Sequence, residues 1–497
     1  MDSPSSTWSQ RVLTGLAAAT DELAIISVTP DGVQSWTNQD LLERSSGARK
    51  FLDAHGAARE RYVPALVTTR PASVALLLAG AVSNRPIAPL GPKLTDRELL
   101  DCLRRLDGNI LLAEPEWADK AARLAAETGR HLAIIEEFAP GEPLDPASAN
   151  TAAADIAFML HTSGTTGLPS QVVVRQRELA RRAQVNGSLL QLHRGARLVI
   201  AGLFHHVGGL GNIAVALGNN ATMVLVPSVS VTSWHSLEPV RPTHVITVPS
   251  IIEMLLSADA LTMPSLSMIG YGGSPIHPDT MRRIAQLRPD VDFVNLFGQT
   301  EGSPLTVLGP HDHRVAISGK EELLQSVGRA APGVELRIAE AGPDGVGEVW
   351  AKSSHSFSVD AEGWQHTGDL GYLRDGYLYL AGRKGDKIIR GGENVFPLEV
   401  EQILESHPQV AEAAVVGVPD QRLGEKIRAF VVPVDPANPP DTEQLRVHSR
   451  ERLAGFKVPA DWRFVRSLPR NPVGKLLRRK LIQSGDEQLD QDRGPAT

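Results

Sequence analysis

The segment His161-Thr162-Ser163-Gly164-Thr165-Thr166-Gly167-Leu168-Pro169 gathers hydroxyls, glycines and a proline directly after an apolar run, Ile156 to Leu160. Such a run reads as a buried strand. A strand that opens into a Gly/Ser/Thr loop suits phosphate. Glycine lets the backbone approach closely, free N–H groups point outward, and hydroxyls add donors. No Gly-Lys-Ser/Thr follows at the required spacing, which excludes a Walker A loop. A second glycine-rich turn, Gly270-Tyr271-Gly272-Gly273-Ser274-Pro275, begins like a dinucleotide fingerprint. Pro275 stands where the third glycine is needed, so that reading fails.

Further segments with chemistry-bearing residues follow in chain order. They are Leu203-Phe204-His205-His206-Val207-Gly208, the 270–275 turn, Phe297-Gly298-Gln299-Thr300-Glu301, Thr367-Gly368-Asp369 with Arg383, and Pro472-Val473-Gly474-Lys475. With the 161–169 loop, their order and spacing resemble the adenylate-forming superfamily of acyl-CoA synthetases, luciferases and peptide-synthetase adenylation domains. The resemblance covers roughly residues 20–480 and is nearest in pattern to the acid–CoA ligases. The chain departs from it at Ser170. The family continues Pro-Lys-Gly, and this chain has Pro169-Ser170-Gln171.

The resemblance implies an enzyme that reacts a carboxylate with MgATP to give an acyl-adenylate. A carboxylate attacking phosphate brings two anions together, so cations must offset the repulsion. Lys475 is the candidate catalytic lysine, a point charge on a flexible stem. Glu301 is the candidate Mg²⁺ ligand, since magnesium takes hard oxygen ligands and keeps several waters. Thr300 would add a hydroxyl. Asp369, with Arg383, would take the ribose, because a carboxylate accepts two hydrogen bonds side by side. Thr162 through Gly167 would hold phosphate. Gly272, Gly273, Ser274, Pro275, Asn295, Phe297, Gly298 and Gln299 would border the nucleotide. His205 or His206, with Gly208 and Gly270, would line the acid pocket; His205 matches the family histidine, and a one-residue shift favours His206. Domains that activate α-amino acids usually show Phe-Asp where this chain has Phe204-His205, which speaks against an amino acid substrate and for an aryl or modest-length apolar acid. Serine at 170 forfeits a cation, about 1.5–3 kcal/mol of ATP binding on the scale of one charged hydrogen bond.

Adenylation is half a reaction. The stretch from Lys387 to Pro397 contains Gly391-Gly392-Glu393-Asn394, which looks like the acyl-CoA synthetase loop that shapes a pantetheine tunnel once the C-terminal domain has swung. The implied pivot, two residues after Arg383, is Gly385, and glycine absorbs large φ/ψ changes at little steric cost. CoA is therefore the expected thiol. An amine, a carrier-protein thiol or another nucleophile is the alternative acceptor, and a nucleotide-binding non-enzyme is a third reading.

The elements that must position these residues form an α/β chain. Short apolar runs at 64–67, 109–112, 132–135, 197–200, 222–226, 244–248 and 292–296 alternate with helical segments, as in mostly parallel sheets flanked by helices. After about residue 330 the runs 334–338 and 347–351 alternate like half-exposed antiparallel strands, and Asp375-Gly376 marks a hairpin. The expected domains are a large N-terminal domain over 1–382, a hinge at 383–386, a mobile α+β C-terminal domain over 387–483, and a disordered polar tail at 484–497. The chain has 497 residues, too many for one core. A net charge of −7 argues against a nucleic-acid partner. One cysteine, Cys102, excludes an internal disulfide and reads as a buried, inert residue. No apolar run is long enough to span a bilayer. The first residues lack the profile of a signal peptide, which makes the cytoplasm the expected compartment. A monomer or homodimer is expected.

Overall fold

The computed structural model describes residues 6–57, 61–149, 155–162, 170–274, 276, 278–343, 345–391, 393–470 and 476–483. The described residues fall into two compact units. One holds those of 1–335 and 351–365, the other those of 336–350 and 366–497.

In the first unit, a six-stranded sheet runs in the order His131–Ile134, Ile110–Ala113, Val63–Leu66, Ile87–Leu90, Ile156–Thr162, Ser170–Arg175 among the described residues. Its inner strands are short and buried on both faces, which is why they read as unbroken apolar runs. Val63–Leu66 pairs parallel with Ile87–Leu90, and Ile110–Ala113 parallel with His131–Ile134. The helix Pro71–Val82 between them is apolar all round and wholly buried, with Pro71 pre-set for its first turn.

A second, nine-stranded sheet is parallel in its middle: Arg197–Ile200, Thr222–Leu225, His244–Thr247, Met268–Tyr271 and Asp292–Gln299 run in one direction. One edge of the first sheet and both ends of the second are antiparallel. Ile156–Thr162 pairs antiparallel with Ser170–Arg175, and Asp292–Gln299 antiparallel with Gly302–Leu308. The reason is length. Seven residues, or two, cannot carry a chain back across a sheet as a parallel crossover requires. Thr300-Glu301 is thus a hairpin connection, and Thr162 and Ser170, which flank 163–169, end an antiparallel pair.

The second unit contains most of a sheet in the order Val334–Ala339, Gly347–Ser353, Gln365–Arg374, Tyr377–Arg383, and a five-stranded sheet centred on Gly424–Pro433. Asp375 and Gly376 turn the third strand into the fourth with φ of 53° and 80°, and Tyr372 stacks on Tyr379 at 5.3 Å. Both φ values are positive, as a two-residue I′ hairpin demands. The helix Pro397–Glu405 starts at its proline, as the sequence predicts, and packs on Val410–Asp420. Cys102 lies in the helix Asp96–Leu103, 1% exposed, with burial pushing its thiol up to about 11. Among the described residues no helix is long and apolar enough to cross a membrane.

Candidate active site

In the first unit, the base of the candidate phosphate loop is fixed by register: Thr162 stands opposite Ser170, and His161 opposite Gln171. Residues Ser163, Gly164, Thr165, Thr166 and Gly167 lie outside the described residues. Ser170 is exposed at the loop base. Arg175, at the far end of the same strand opposite Ile156, lies about 17 Å from it at the usual rise per residue. The cation brought to the loop base is Arg105, distant in sequence. Its carbonyl accepts from Gln171 Nε2 at 3.2 Å, and its charge, after burial, helps to lower His161 to about 4. Neither ring nitrogen of His161 has a hydrogen-bond partner among the described residues.

His205 and His206 lie together, ring centroids 4.3 Å apart. Burial first, then the neighbouring His206 and His161, pushes His205 down to about 3, so it is neutral at physiological pH. The His205 ring packs on the bare face of Gly91, where a Cβ would stand 2.4 Å from Nε2. Neutral and tightly packed, it is a wall and not a proton carrier. The chain then forms one π-helical turn, Val207–Gly211, a geometry often found at functional sites. A Cβ on Gly208 would meet nothing within 4 Å. Gly270 is different. A Cβ there would stand 3.0 Å from Leu190 and 3.2 Å from Ile246, so its missing side chain makes room for core packing and opens no space for an acid.

The turn after Tyr271 is set from beneath. The buried Tyr271 hydroxyl lies 2.8 Å from His313 Nε2, and His313 Nδ1 lies 2.8 Å from the Gly309 carbonyl. A carbonyl only accepts, so Nδ1 carries the proton and Nε2 accepts from the phenol. Burial holds His313 at about 4 and raises the Tyr271 phenol, which keeps both neutral. Asn295, expected beside the nucleotide, is 5% exposed and its side chain bonds Tyr271. Gly272 passes so close to the Leu296 carbonyl that a Cβ would stand 2.5 Å from it. Gly273 has φ of 84° and is exposed with Ser274; Pro275 lies outside the described residues.

Thr300 and Glu301 form the tip of the hairpin between Asp292–Gln299 and Gly302–Leu308, and the backbone around them is tied down at four carbonyls. Arg182 Nη1 donates to Thr300 O at 3.3 Å, Phe357 N–H to Glu301 O at 2.6 Å, Asn186 Nδ2 to Ser303 O at 3.3 Å, and His355 Nε2 to Pro304 O at 2.8 Å. Gly298 permits the closure, since a Cβ there would stand 2.7 Å from Gly302 O. Phe297 and Gln299 are half-buried on the same strand, and the Gln299 amide oxygen accepts from Gln365 at 3.4 Å. The fixed backbone leaves the Thr300 hydroxyl and Glu301 carboxylate as the parts available for chemistry.

Arg182 is the residue that sequence reasoning missed. It sits in the helix Gln176–Leu189, is 6% exposed, and lies over the Phe357 ring at 5.4 Å. Burial lowers it to about 10, opposed by the charge of Glu301, so it stays cationic. One of three arginines in its helix, beside Arg177 and Arg181, it gives no sign of this in sequence.

Among the described residues no three His, Cys, Asp or Glu side chains are arranged to hold a metal. A single half-buried carboxylate at a tethered tip fits Mg²⁺ that draws its remaining ligands from phosphate and water.

In the second unit, Asp369 and Arg383 stand opposite each other across a strand pair, Oδ1 to Nε 3.0 Å. Asp369 is 5% exposed. Glu348 organises the turn before it, accepting from Gly368 N–H at 3.1 Å and pairing with Lys384 Nζ at 3.1 Å. Lys384 N–H in turn donates to Gly368 O at 2.9 Å. Gly385 follows, and a Cβ on it would meet nothing within 4 Å. Gly391, with φ of 62°, turns Ile388–Arg390 into Glu393–Val395 and donates to Leu423 O at 2.7 Å. Glu393 is exposed. Gly392 and Lys475 lie outside the described residues.

Comparison with known proteins places the chain. Residues 15–359 match the model of the AMP-binding enzymes, and 399–475 that of the AMP-binding enzyme C-terminal domain. A propanoyl:CoA ligase of Mycobacterium tuberculosis, acting on a methyl-dioxo-octahydroindenyl acid, is 35% identical over 83% of this chain and 86% of its own. A fatty acid–acyl-carrier-protein ligase of Streptomyces coeruleorubidus is 31% identical over 90% and 91%. The structure of the amide bond synthetase McbA from Marinactinospora thermotolerans superposes with a TM-score of 0.83 at 28% identity, covering 96% of this chain and 98% of that one. The chain belongs to the AMP-binding enzyme family, the adenylate-forming superfamily.

Proposed function

We propose that the protein is an AMP-forming acid–CoA ligase. A carboxylate oxygen attacks the α-phosphorus of ATP, the bond to pyrophosphate breaks, and the acyl-adenylate forms. The CoA thiolate then attacks the acyl carbonyl and AMP leaves. The observation that carries this reading is the Thr300-Glu301 tip, a hydroxyl and a carboxylate on a backbone held at four carbonyls. Preorganised groups of this kind need no rearrangement as charge develops.

The remaining roles follow. The 162–167 loop takes the phosphates, Gly272 to Pro275 with Phe297, Gly298 and Gln299 border the adenine, and Asp369 with Arg383 takes the ribose. His205, His206 and Gly208 border the acid. Mg²⁺ at Glu301 would supply charge neutralisation to the phosphates. Lys475 steadies the attacking carboxylate. Rotation of 387–483 about 383–386, with Gly385 as pivot, exchanges Lys475 for the Gly391–Glu393 turn, which admits the pantetheine arm.

Two similarities favour a second reading with the same first step. One relative is named for a carrier-protein acceptor and one structural neighbour for amide synthesis. The deciding measurement is pyrophosphate release from ATP over a carboxylic-acid panel, each acid run alone, with CoA, with an acyl-carrier protein and with an amine. A CoA thioester of one acid is the expected product. Acid-dependent release that ignores CoA and yields an amide or acyl-carrier protein replaces the acceptor. No release with any acid overturns the adenylating reading.

A further inference from the structure

Arg182 has more hydrogen-bonding capacity than its surroundings use. The residue is 6% exposed, and a guanidinium carries five N–H donors in a fixed fork. Nη1 donates to Thr300 O at 3.3 Å. Nε is closed off from water with no partner. Among the described residues Nη2 has no hydrogen-bond partner either, and no carboxylate forms an ion pair with the guanidinium. Asn186, one turn further along the helix, gives its Nδ2 to the carbonyls of Arg182 and Ser303. The charge of Glu301 favours the cation from a distance. His355 is neutral: burial lowers it first, against its bond to Pro304 O, and the charge of Arg182 lowers it further.

The flank of Nη2 is left bare by a glycine. Gly211 ends the π-helical turn Val207–Gly211, and a Cβ on it would stand 3.7 Å from Nη2 and 2.9 Å from Val207 Cγ2. Gly208, three residues earlier, has open space where its side chain would be. His205 and His206, just before the turn, are both lowered by burial and bring no charge of their own. A buried cation without its anion costs several kcal/mol, and one carbonyl does not repay that. Holding a carbonyl needs no charge either, since Asn186 holds Ser303 O with an amide. Nε and Nη2 share one edge of the fork, the kind of edge that meets a carboxylate with two parallel bonds.

We infer that Arg182 sets the specificity of the acid pocket by receiving a second anionic group of the acid, so that the substrate is a short dicarboxylic acid. One carboxylate goes to the α-phosphorus and the other to the guanidinium. The diacid is short because Arg182 bonds the backbone of Thr300, the residue whose hydroxyl is assigned to the reacting end. This replaces the apolar acid expected from Phe204-His205. It rests on the acid-adenylating reading and on Val207–Gly211 as a wall of the acid pocket.

The test is ATP–pyrophosphate exchange by the full-length enzyme with malonate, succinate and glutarate, each beside its monomethyl ester, which keeps the shape and removes one charge. For the preferred diacid, kcat/KM should exceed that of its ester about 10–100-fold, carried by KM, the worth of one charged hydrogen bond. Arg182→Met should bring that ratio to within about twofold. Arg182→Lys, a point charge without the fork, should keep part of it. Gly211→Ala sets a methyl group against Nη2 and should lower the ratio several-fold. Any loss shared by diacid and ester reports the tether to Thr300 and cancels in the ratio. Equal use of diacid and ester by the unmodified enzyme, or an undiminished ratio in folded Arg182→Met, overturns the inference. Should Arg182→Met not fold, an undiminished ratio in Gly211→Ala overturns it. Exchange with monocarboxylic acids and with no diacid sinks this inference and leaves the adenylating reading standing. Exchange with no acid sinks both.

Discussion

The Thr300-Glu301 tip and the Gly385 segment are both short connections between strands, and they are built in opposite ways. Around Thr300-Glu301 four carbonyls are held, a buried arginine lies beneath, and Gly298 is so crowded that a methyl group would collide with the Gly302 carbonyl. Gly385 has open space where its side chain would stand, although the residue before it is pinned to Gly368 and Glu348. A group that must meet developing charge without reorganising belongs on the first kind of turn. A bond that must rotate belongs on the second. The difference separates a turn that fixes geometry from a turn proposed to change it.

That contrast breaks most sharply at Arg182. Arg182→Met removes the donor to Thr300 O and should lower the adenylation rate about 100-fold, since small displacements of reacting groups cost that much. A stability loss of roughly 1.5–3 kcal/mol, the value of one hydrogen bond from a charged group, should accompany it. Pyrophosphate exchange and denaturant melts check both, and a folded, fully active variant would show that the tip needs no such anchor.

Glycine gives the paired test. Gly298→Ala forces a Cβ to within 2.7 Å of backbone and should cost about 1–3 kcal/mol, as overpacking does. Gly385→Ala should instead raise stability by about 0.4–1 kcal/mol through the unfolded chain, while slowing the alternation between half-reactions. Similar melts for the two variants would erase the distinction drawn here.

Acid should strain the rigid unit. His244 and His313 are held at about 4 by burial, well below the usual 6.5. The unfolded chain takes up these protons first. Stability is therefore full above about pH 6.5 and falls as pH drops toward 4, by on the order of 1–2 kcal/mol per histidine between pH 7 and 5. Thermal melts across that window should show the decline, and a flat profile would mean these histidines are not buried neutral.

The smallest expected effect lies at the phosphate loop. Ser170→Lys places a cation at the loop base and should lower the Michaelis constant for ATP about tenfold, the lower end of one charged contact's worth. No change, or a rise, would indicate that Arg105 already serves that end of the loop.

Much of the fold was legible. The strands at 197–200, 222–225 and 244–247 appear where their apolar runs lie, because strands covered on both faces have no polar positions to interrupt them. Asp375-Gly376 turns where it should, since few other residue pairs accept two positive φ values. Gly302–Leu308 escaped notice: Pro304 and two small residues weaken its strand pattern, and only pairing with Asp292–Gln299 makes it one. The antiparallel edges likewise depend on connection length and not on composition.

The sequence by itself determined which residue types are present and in what order, which sufficed for the family and for naming Thr300, Glu301, Asp369 and Arg383 as candidates. Tertiary structure alone decided who holds them. Arg182 meets Thr300 across 118 positions and Arg478 meets Glu401 across 77. Gly270, spaced like a pocket residue, turns inward to the core. Periodicity reports only which way a side chain faces its own element. What it finds there depends on another element's packing, where long-range hydrogen bonds and buried charges are matched residue by residue.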